Sequence, residues 1–432
     1  MKRILFCSVD SWNPNIASSS TNTYATLFAG YPHDKLAGLY LREEYPENDS
    51  CGVYYQISER KIIRSLLNGS IKTGQILHSD SRPSVTDAKD LESTNNLYAK
   101  NRKKRKYYKL FIREIIWKFG HWKTKDLDEF LDLFKPDVVI FSLEGYIHFN
   151  RICRYVVNHT GAFAIGYVWD DTFTYKQVTG SSGFKLLRFF QRRSIRKTAR
   201  MCNDFWAITP KTKEEFDAFA GVDCKIVTKP LNEVHREKII PYIQNGPIKV
   251  LYTGNLAIGR MDTLKCLSDA LDLINKEKVK IVVDVYTNAV LSDTDMFMFS
   301  KSIFFHKPVP VSQVVELQKQ ADVLLFIEDI VGNNSKKARL SFSTKITDYF
   351  SAAKCILAIG PEDIAPMVYL KKEDAALCVY EKAQIEHTLS ILVNNPSKID
   401  EYAEKALCCG QKNHRKDKIL NVVKSSLNVN FC

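Results

Sequence analysis

Lys345 and Asp348 stand three residues apart just behind Ser343 and Thr344, at the front of a run that turns apolar. Ile346, Tyr349, Phe350 and Ala353 then recur at helical spacing, and Ser343 or Thr344 supplies a hydroxyl to cap the helix they predict. A helix N-terminus carries unpaired N–H groups and partial positive charge, so it is a seat for phosphate. A cation and a carboxylate beside that seat can hold a diphosphate and a ribose. The plain alternative for Lys345 and Asp348 is a surface ion pair at i, i+3.

Further upstream, Gly254 and Gly259 bracket a loop after the apolar run 248–252, and glycine permits close backbone approach there. Asp170 and Asp171 end the apolar run 162–169, and Glu144, Tyr146 and His148 follow the run 137–142. Both places read as C-terminal ends of strands, where open α/β sheets bind ligands. A buried pair of carboxylates repels, which raises one pKa and suits acid/base work; an exposed pair does not. Asp170, Asp171 and His148 are therefore the catalytic candidates, the plain reading of His148 being a loop histidine. No nucleophile is evident, and no metal site is expected: Asp170-Asp171 is only a lookalike of an Asp-x-Asp metal motif.

The elements that must position these residues alternate. Strands are predicted at 4–9, 36–41, 137–142, 162–169, 204–208, 225–228, 248–252, 280–286, 303–306, 321–326, 355–359 and 375–379. Helices fall between them, among them 106–119, 126–134, 152–159, 184–201, 262–274, 312–320, 383–394 and 399–410. Thr209 caps a further helix with Pro210 in its first position. The pattern is that of doubly wound α/β domains. Residues 10–20 form a polar loop, and the following Ser/Thr/Asn-rich stretch either caps a helix or lines a phosphate or sugar site. Residues 51 to about 100 lack strong periodicity, and 51–125 as a whole reads as an insertion or mobile region that includes the helix at 106–119.

A length of 432 residues suits two domains of similar size. The expected division is 1–235, 246–410 and a terminal helix at 411–432, with a charged linker near 232–247. Hydrophobic residues make up 45% of the chain, which argues against disorder. The net charge of +13 is concentrated at 101–109 and 188–200 and favours anionic partners. A solvated face is the plain reading of each block; contact with an anionic membrane is the functional one, at about 1 kcal/mol per basic residue near such a surface. No nucleic-acid module accompanies the charge, so no nucleic acid is expected as partner. The eleven cysteines show no paired spacing and read as reduced thiols of a cytoplasmic protein. The apolar start is too short for a signal peptide.

Phe342-Ser-Thr-Lys345, followed by Asp348 and by Ala353-Lys354-Cys355, resembles the donor-site segment of GT-B glycosyltransferases, particularly glycosyltransferase family 4. The order of elements extends the likeness over most of the chain, least between residues 51 and 126. The resemblance implies two Rossmann-like domains facing across an active-site cleft, an acceptor side first and a nucleotide-sugar side second, with the C-terminal helix crossing back. It implies retaining transfer of a sugar from a nucleoside diphosphate sugar, UDP preferred, to a sugar or lipid-linked glycan. A place in surface polysaccharide synthesis follows by inference, peripheral on the inner face of the plasma membrane, with no cofactor. By the same likeness Arg260 grips the diphosphate, with Lys265 a second candidate, Asn255 at a position often held by Arg, and Lys307 near the base. Asp170 aligns with an acceptor-side acid, Trp169 standing where His is usual. The family's first acidic residue falls at Leu340. Its replacement leaves room for a non-catalytic scaffold that binds a partner transferase. A nucleotide-sugar 2-epimerase shares the architecture and is the remaining alternative.

Overall fold

A computed structural model describes residues 1–11, 19–46, 50–78, 81, 107–177, 181–231, 241–243, 245–332 and 334–427. The chain divides into two compact units, Met1–Val227 with Leu420–Cys432, and Thr228–Ile419.

The first unit is built on eight strands: β1 (Ile4–Cys7), β2 (Leu36–Tyr40), β3 (Val53–Ile57), β4 (Gly74–Leu77), β5 (Val138–Ser142), β6 (Phe163–Val168), β7 (Asp204–Ala207) and β8 (Lys225–Ile226). Their order is β4-β3-β2-β1-β5-β6-β7-β8. All neighbours are parallel except β3 and β4. Every residue of β1, β2 and β5 is buried, so both faces of the sheet centre are covered.

The helices of this unit are α1 (Ser19–Leu27), α2 (Glu59–Ser65), α3 (Tyr107–Phe119), α4 (Lys125–Phe134), α5 (Ile147–Thr160), α6 (Ser182–Ala199) and α7 (Pro210–Ala220). In α4 the buried Leu127, Phe130, Leu131 and Phe134 follow the helical period, and the Thr124 hydroxyl accepts the Leu127 N–H at 3.2 Å. Thr209 caps α7 in the same way, with Pro210 at the first position.

Two readings of the sequence are corrected here. The described part of 51–125 is not an insertion: β3 and β4 belong to the main sheet, α2 lies between them, and α3 follows where a helix is expected, while residues 79–80 and 82–106 lie outside the described residues. β3 reads Val-Tyr-Tyr-Gln-Ile, and its in-sheet Gln56 hides the strand from a hydropathy reading. Gln56 is satisfied inside by Arg42 O and Glu44 O at 2.8 and 2.7 Å, which permits its burial. Helix α5 also starts five residues earlier than expected, at Ile147.

The second unit is one six-stranded parallel sheet: β9 (Ile248–Thr253), β10 (Ile281–Tyr286), β11 (Ile303–His306), β12 (Val323–Ile327), β13 (Cys355–Ile359) and β14 (Leu377–Val379), in the order β11-β10-β9-β12-β13-β14. Its helices are α8 (Arg260–Ile274), α9 (Asp293–Phe297), α10 (Val311–Gln320), α11 (Thr344–Ala352), α12 (Ala365–Lys372), α13 (Lys382–Asn394) and α14 (Ser397–Asn413). β12 and β13 are buried throughout and form the core with the inner faces of α8 and α13. Strand order reverses between β9 and β12, which opens a crevice at their C-terminal ends. The terminal α15 (Lys416–Leu427) returns the chain to the first unit, where Ser426 accepts the Trp206 indole N–H at 3.0 Å. Most of the expected linker, residues 232–240 and 244, lies outside the described residues.

Candidate functional site

The crevice between β9 and β12 gathers the residues expected to hold a nucleotide. The loop after β9 enters at Gly254 and leaves at Gly259, with φ of 146° and 81°. A Cβ on Gly259 would lie 2.2 Å from the Asp329 Cγ, and one on Gly254 would lie 1.7 Å from the Lys345 Nζ. Both positions therefore need bare backbone. Ile258 adopts φ 61°, an outlier for a β-branched residue that costs about 1–3 kcal/mol. The loop is held in this shape: the Tyr252 hydroxyl donates to Asn255 O at 2.6 Å, and the Thr263 hydroxyl donates to Glu328 O at 2.8 Å. Asp329 accepts the N–H groups of Val331, Gly332 and Asn334, which keeps its carboxyl below the usual range despite the opposing effect of burial. Gly259→Ala is expected to cost about 2 kcal/mol, since it adds left-handed strain to a clash with Asp329. Thermal denaturation checks this, and a melting point equal to that of the parent protein contradicts it.

Arg260 is the first residue of α8. Its guanidinium donates to Asn255 Oδ1 at 2.9 Å and to Glu328 Oε1 at 2.7 Å. Glu328 leaves the end of β12 and is buried, its Oε2 making no hydrogen bond among the described residues. Lys345 comes from the first turn of α11. Its ammonium lies 5.0 Å over the Tyr252 ring and makes no hydrogen bond or ion pair among the described residues. Burial, and then the Arg260 guanidinium, pull its pKa down to about 8 against the opposing carboxylates of Glu328 and Asp348. The α11 N-terminus is open as well: Ser343 occupies the cap position, yet no side chain makes the cap hydrogen bond. That corrects the expectation that Ser343 or Thr344 caps this helix. The Ile346 N–H is taken by Ser343 O at 3.1 Å, and among the described residues the N–H groups of Thr344 and Lys345 are left to an outside acceptor.

The remaining expectations for this unit divide. Asp348 is not paired with Lys345: it accepts Lys229 Nζ at 2.5 Å, a contact made by the chain segment entering the unit. Lys265 lies further along α8 and Lys307 is exposed beyond β11, and no contact joins either to Arg260 or Lys345 among the described residues. Leu340, where a family acid was expected, is fully buried core. Glu328 reads in the sequence as part of a polar loop. Its signal is a carboxylate placed immediately after the buried run of β12.

In the first unit the strand order reverses between β1 and β5. Asp170 is exposed at the end of β6, whereas Asp171 is buried and its carboxylate is taken up by the Thr174 N–H and hydroxyl. They are not a buried, repelling pair, which corrects the acid/base reading of Asp171. His148 is corrected too. It lies inside α5, 1% exposed, its ring stacked on Trp117 at 4.6 Å with its Nδ1 3.0 Å from Glu114. Glu114 accepts the N–H groups of Ile147 and His148 and so closes the α5 N-terminus, and burial keeps the imidazole pKa down. This histidine is a packing residue. A titratable group at this strand-order reversal is Glu144, after β5. Burial first, then Asp170 and Asp10, push its pKa up to about 8. Residues 12–18 of the polar loop expected from the sequence lie outside the described residues.

No family model and no curated protein matches the sequence. Solved structures do match in fold. The E. coli trehalose-6-phosphate protein bound with UDP-2-fluoro glucose aligns at TM-score 0.60 and 8% identity, over 99% of both chains. A UDP-forming alpha,alpha-trehalose-phosphate synthase from Burkholderia xenovorans, in complex with glucose-6-phosphate, aligns at 0.58 and 10%, over 99% of this chain and 100% of that one. A TarM variant from S. aureus, in complex with Fondaparinux, alpha-GlcNAc-glycerol and UDP, also aligns at 0.58 and 10%, with the same coverage. The chain has the GT-B fold. At this identity the likeness fixes the fold alone, so the chemistry of the GT-B chain rests on the residues just described.

Proposed function

We propose that this GT-B chain is a glycosyltransferase that takes a sugar from a nucleoside diphosphate sugar, UDP preferred, and passes it to a sugar or lipid-linked glycan with retention of anomeric configuration. Surface polysaccharide synthesis is the proposed setting. The observation that carries the reading is the meeting of Arg260, Lys345 and the uncapped α11 N-terminus at one strand-order reversal. Departure of a nucleoside diphosphate builds negative charge, and pre-placed donors lower its cost. Lys345 presents an ammonium held beside the bare backbone of Gly254 and in no ion pair with a carboxylate among the described residues. Arg260 is already oriented by Glu328 and Asn255, so little side-chain freedom is lost when it turns a further N–H toward phosphate. In retaining transfer a donor phosphate oxygen can take the acceptor proton, so no protein nucleophile is required. Glu144 is assigned to the acceptor side: protonated at neutral pH, its carboxyl can donate a hydrogen bond to a sugar oxygen.

The ligands bound in the structural neighbours, a UDP-sugar analogue and UDP among them, support this choice of donor. The test is a thermal-shift panel of UDP, GDP, ADP, CMP and UMP, with and without magnesium, followed by transfer from the sugar form of any nucleotide that binds. A ligand at about 100 times its dissociation constant adds about 2.7 kcal/mol. A shift with UDP and none with UMP is expected. Absence of a shift with every diphosphate removes the donor site and leaves the scaffold reading, which the core residue Leu340 favours.

A further inference from the structure

Two helices of the first unit turn apolar side chains outward. On α3 the residues Tyr108, Ile112, Ile115 and Phe119 recur at 4-3-4 spacing, the outward stripe of a helix, and all four are exposed, Phe119 at 63%. The opposite side holds Trp117, fully buried. On α6, Leu186, Phe189 and Phe190 are exposed in turn. The helices touch: Tyr107 and Phe184 meet at 5.9 Å, Phe111 and Phe190 at 6.5 Å. Exposed apolar side chains of this size, repeated on two adjoining helices, exceed the scattered single residues of an ordinary surface.

The charge around them has one sign. Helix α6 contains no Asp or Glu, and Lys185, Arg193, Lys197 and Arg200 stand exposed on it or at its end, forming no ion pair among the described residues. The sole acid of α3, Glu114, is turned inward to the α5 N-terminus. A protein partner of ordinary composition would have to supply both a broad apolar face and an acidic rim. A bilayer bearing anionic headgroups supplies both at once, with aromatic and aliphatic side chains entering the headgroup region and lysine and arginine at its level. No helix among the described residues is long and apolar enough to cross a membrane, so the contact would lie on the surface.

We propose that the outward faces of α3 and α6 form a peripheral docking surface for anionic lipid bilayers. The surface stands independently of the transferase reading. Co-sedimentation tests it, with the full chain and vesicles of phosphatidylcholine alone or mixed equally with phosphatidylglycerol. The parent protein is expected to bind the mixed vesicles, to be released by high salt, and to leave phosphatidylcholine vesicles bare. Arg193→Glu with Lys197→Glu is expected to weaken binding by at least about 30-fold, the effect of taking two basic side chains away from an anionic surface. Ile115→Ser with Phe189→Ser is expected to abolish binding at low salt as well, which a purely ionic contact would not show. Both pairs change exposed side chains, and unaltered melting points verify their folding. Three results overturn the proposal: no binding to mixed vesicles, equal binding to both kinds, or parent-like binding by the folded variants. Self-association that Ile115→Ser with Phe189→Ser dissolves, without vesicle binding, would instead identify the face as a contact between copies.

Discussion

Lys345→Met is expected to make the ligand-free protein more stable while removing its hold on a nucleoside diphosphate. The lysine has a folded pKa of about 8, below the ordinary value of 10.5, because burial and the neighbouring Arg260 disfavour its charge. Between these values the unfolded chain binds more protons than the folded one, so stability rises with pH across that window. Below pH 8 the charged lysine is a standing cost to the fold. Methionine fills the same space beside Tyr252 and Gly254 without that cost. The ammonium is only partly withdrawn from water, so about 2 kcal/mol is the appropriate scale at pH 7, a rise of about 5 °C for a unit of this size. The advantage should be constant below pH 8 and shrink as pH rises towards 10.5, where the parent lysine becomes neutral in both states. UDP affinity should fall more than about tenfold, the scale of one charge-assisted hydrogen bond. Thermal melts across pH, with calorimetric titration of UDP, check both halves. A lower melting point at pH 7 would show that Lys345 is held by favourable contacts and not poised for a ligand.

The same residue shows how far the sequence carries the reading. Its position after an apolar-strand and helix pattern is legible, because the buried strands β5, β9, β12 and β13 are near-continuous apolar runs and the helices between them keep a clean period. What Lys345 contacts is not legible. Tyr252, Gly254 and Arg260 reach it through the order of strands in a sheet, which local periodicity does not encode. Asp348 illustrates the same limit: its true partner, Lys229, is distant in sequence and reads there as part of a passage between domains. His148 fails for another reason. A histidine after a strand signals chemistry only if it faces the crevice, and the helix begins one residue before it, which turns the ring inward against Trp117. Glu144 stands out at that strand end, but only the packing around it shows why its carboxyl holds its proton.

Arg260 should respond in the opposite sense to its neighbour. Arg260→Ala removes the ion-pair partner of Glu328, whose side chain is 8% exposed and whose second oxygen makes no hydrogen bond among the described residues. Stranding a buried carboxylate is the costly way to break a pair, whereas replacing both partners by apolar groups of similar size is close to neutral. The single variant is therefore expected to lose about 3 kcal/mol, and Arg260→Met with Glu328→Leu to regain most of it. Lys345 moderates the loss, since without Arg260 its pKa rises and its ammonium can serve Glu328. Both variants should lose UDP affinity, because each lacks the guanidinium. The double variant thus separates the two roles: a stable fold with no diphosphate grip. If it binds UDP as the parent does, Arg260 belongs to the packing of the β9–β12 crevice and not to a donor site. If it melts as low as the single variant, the pair's worth lies in the loop geometry that Asn255 and Glu328 fix together, and the strain at Ile258 is what that pair holds in place.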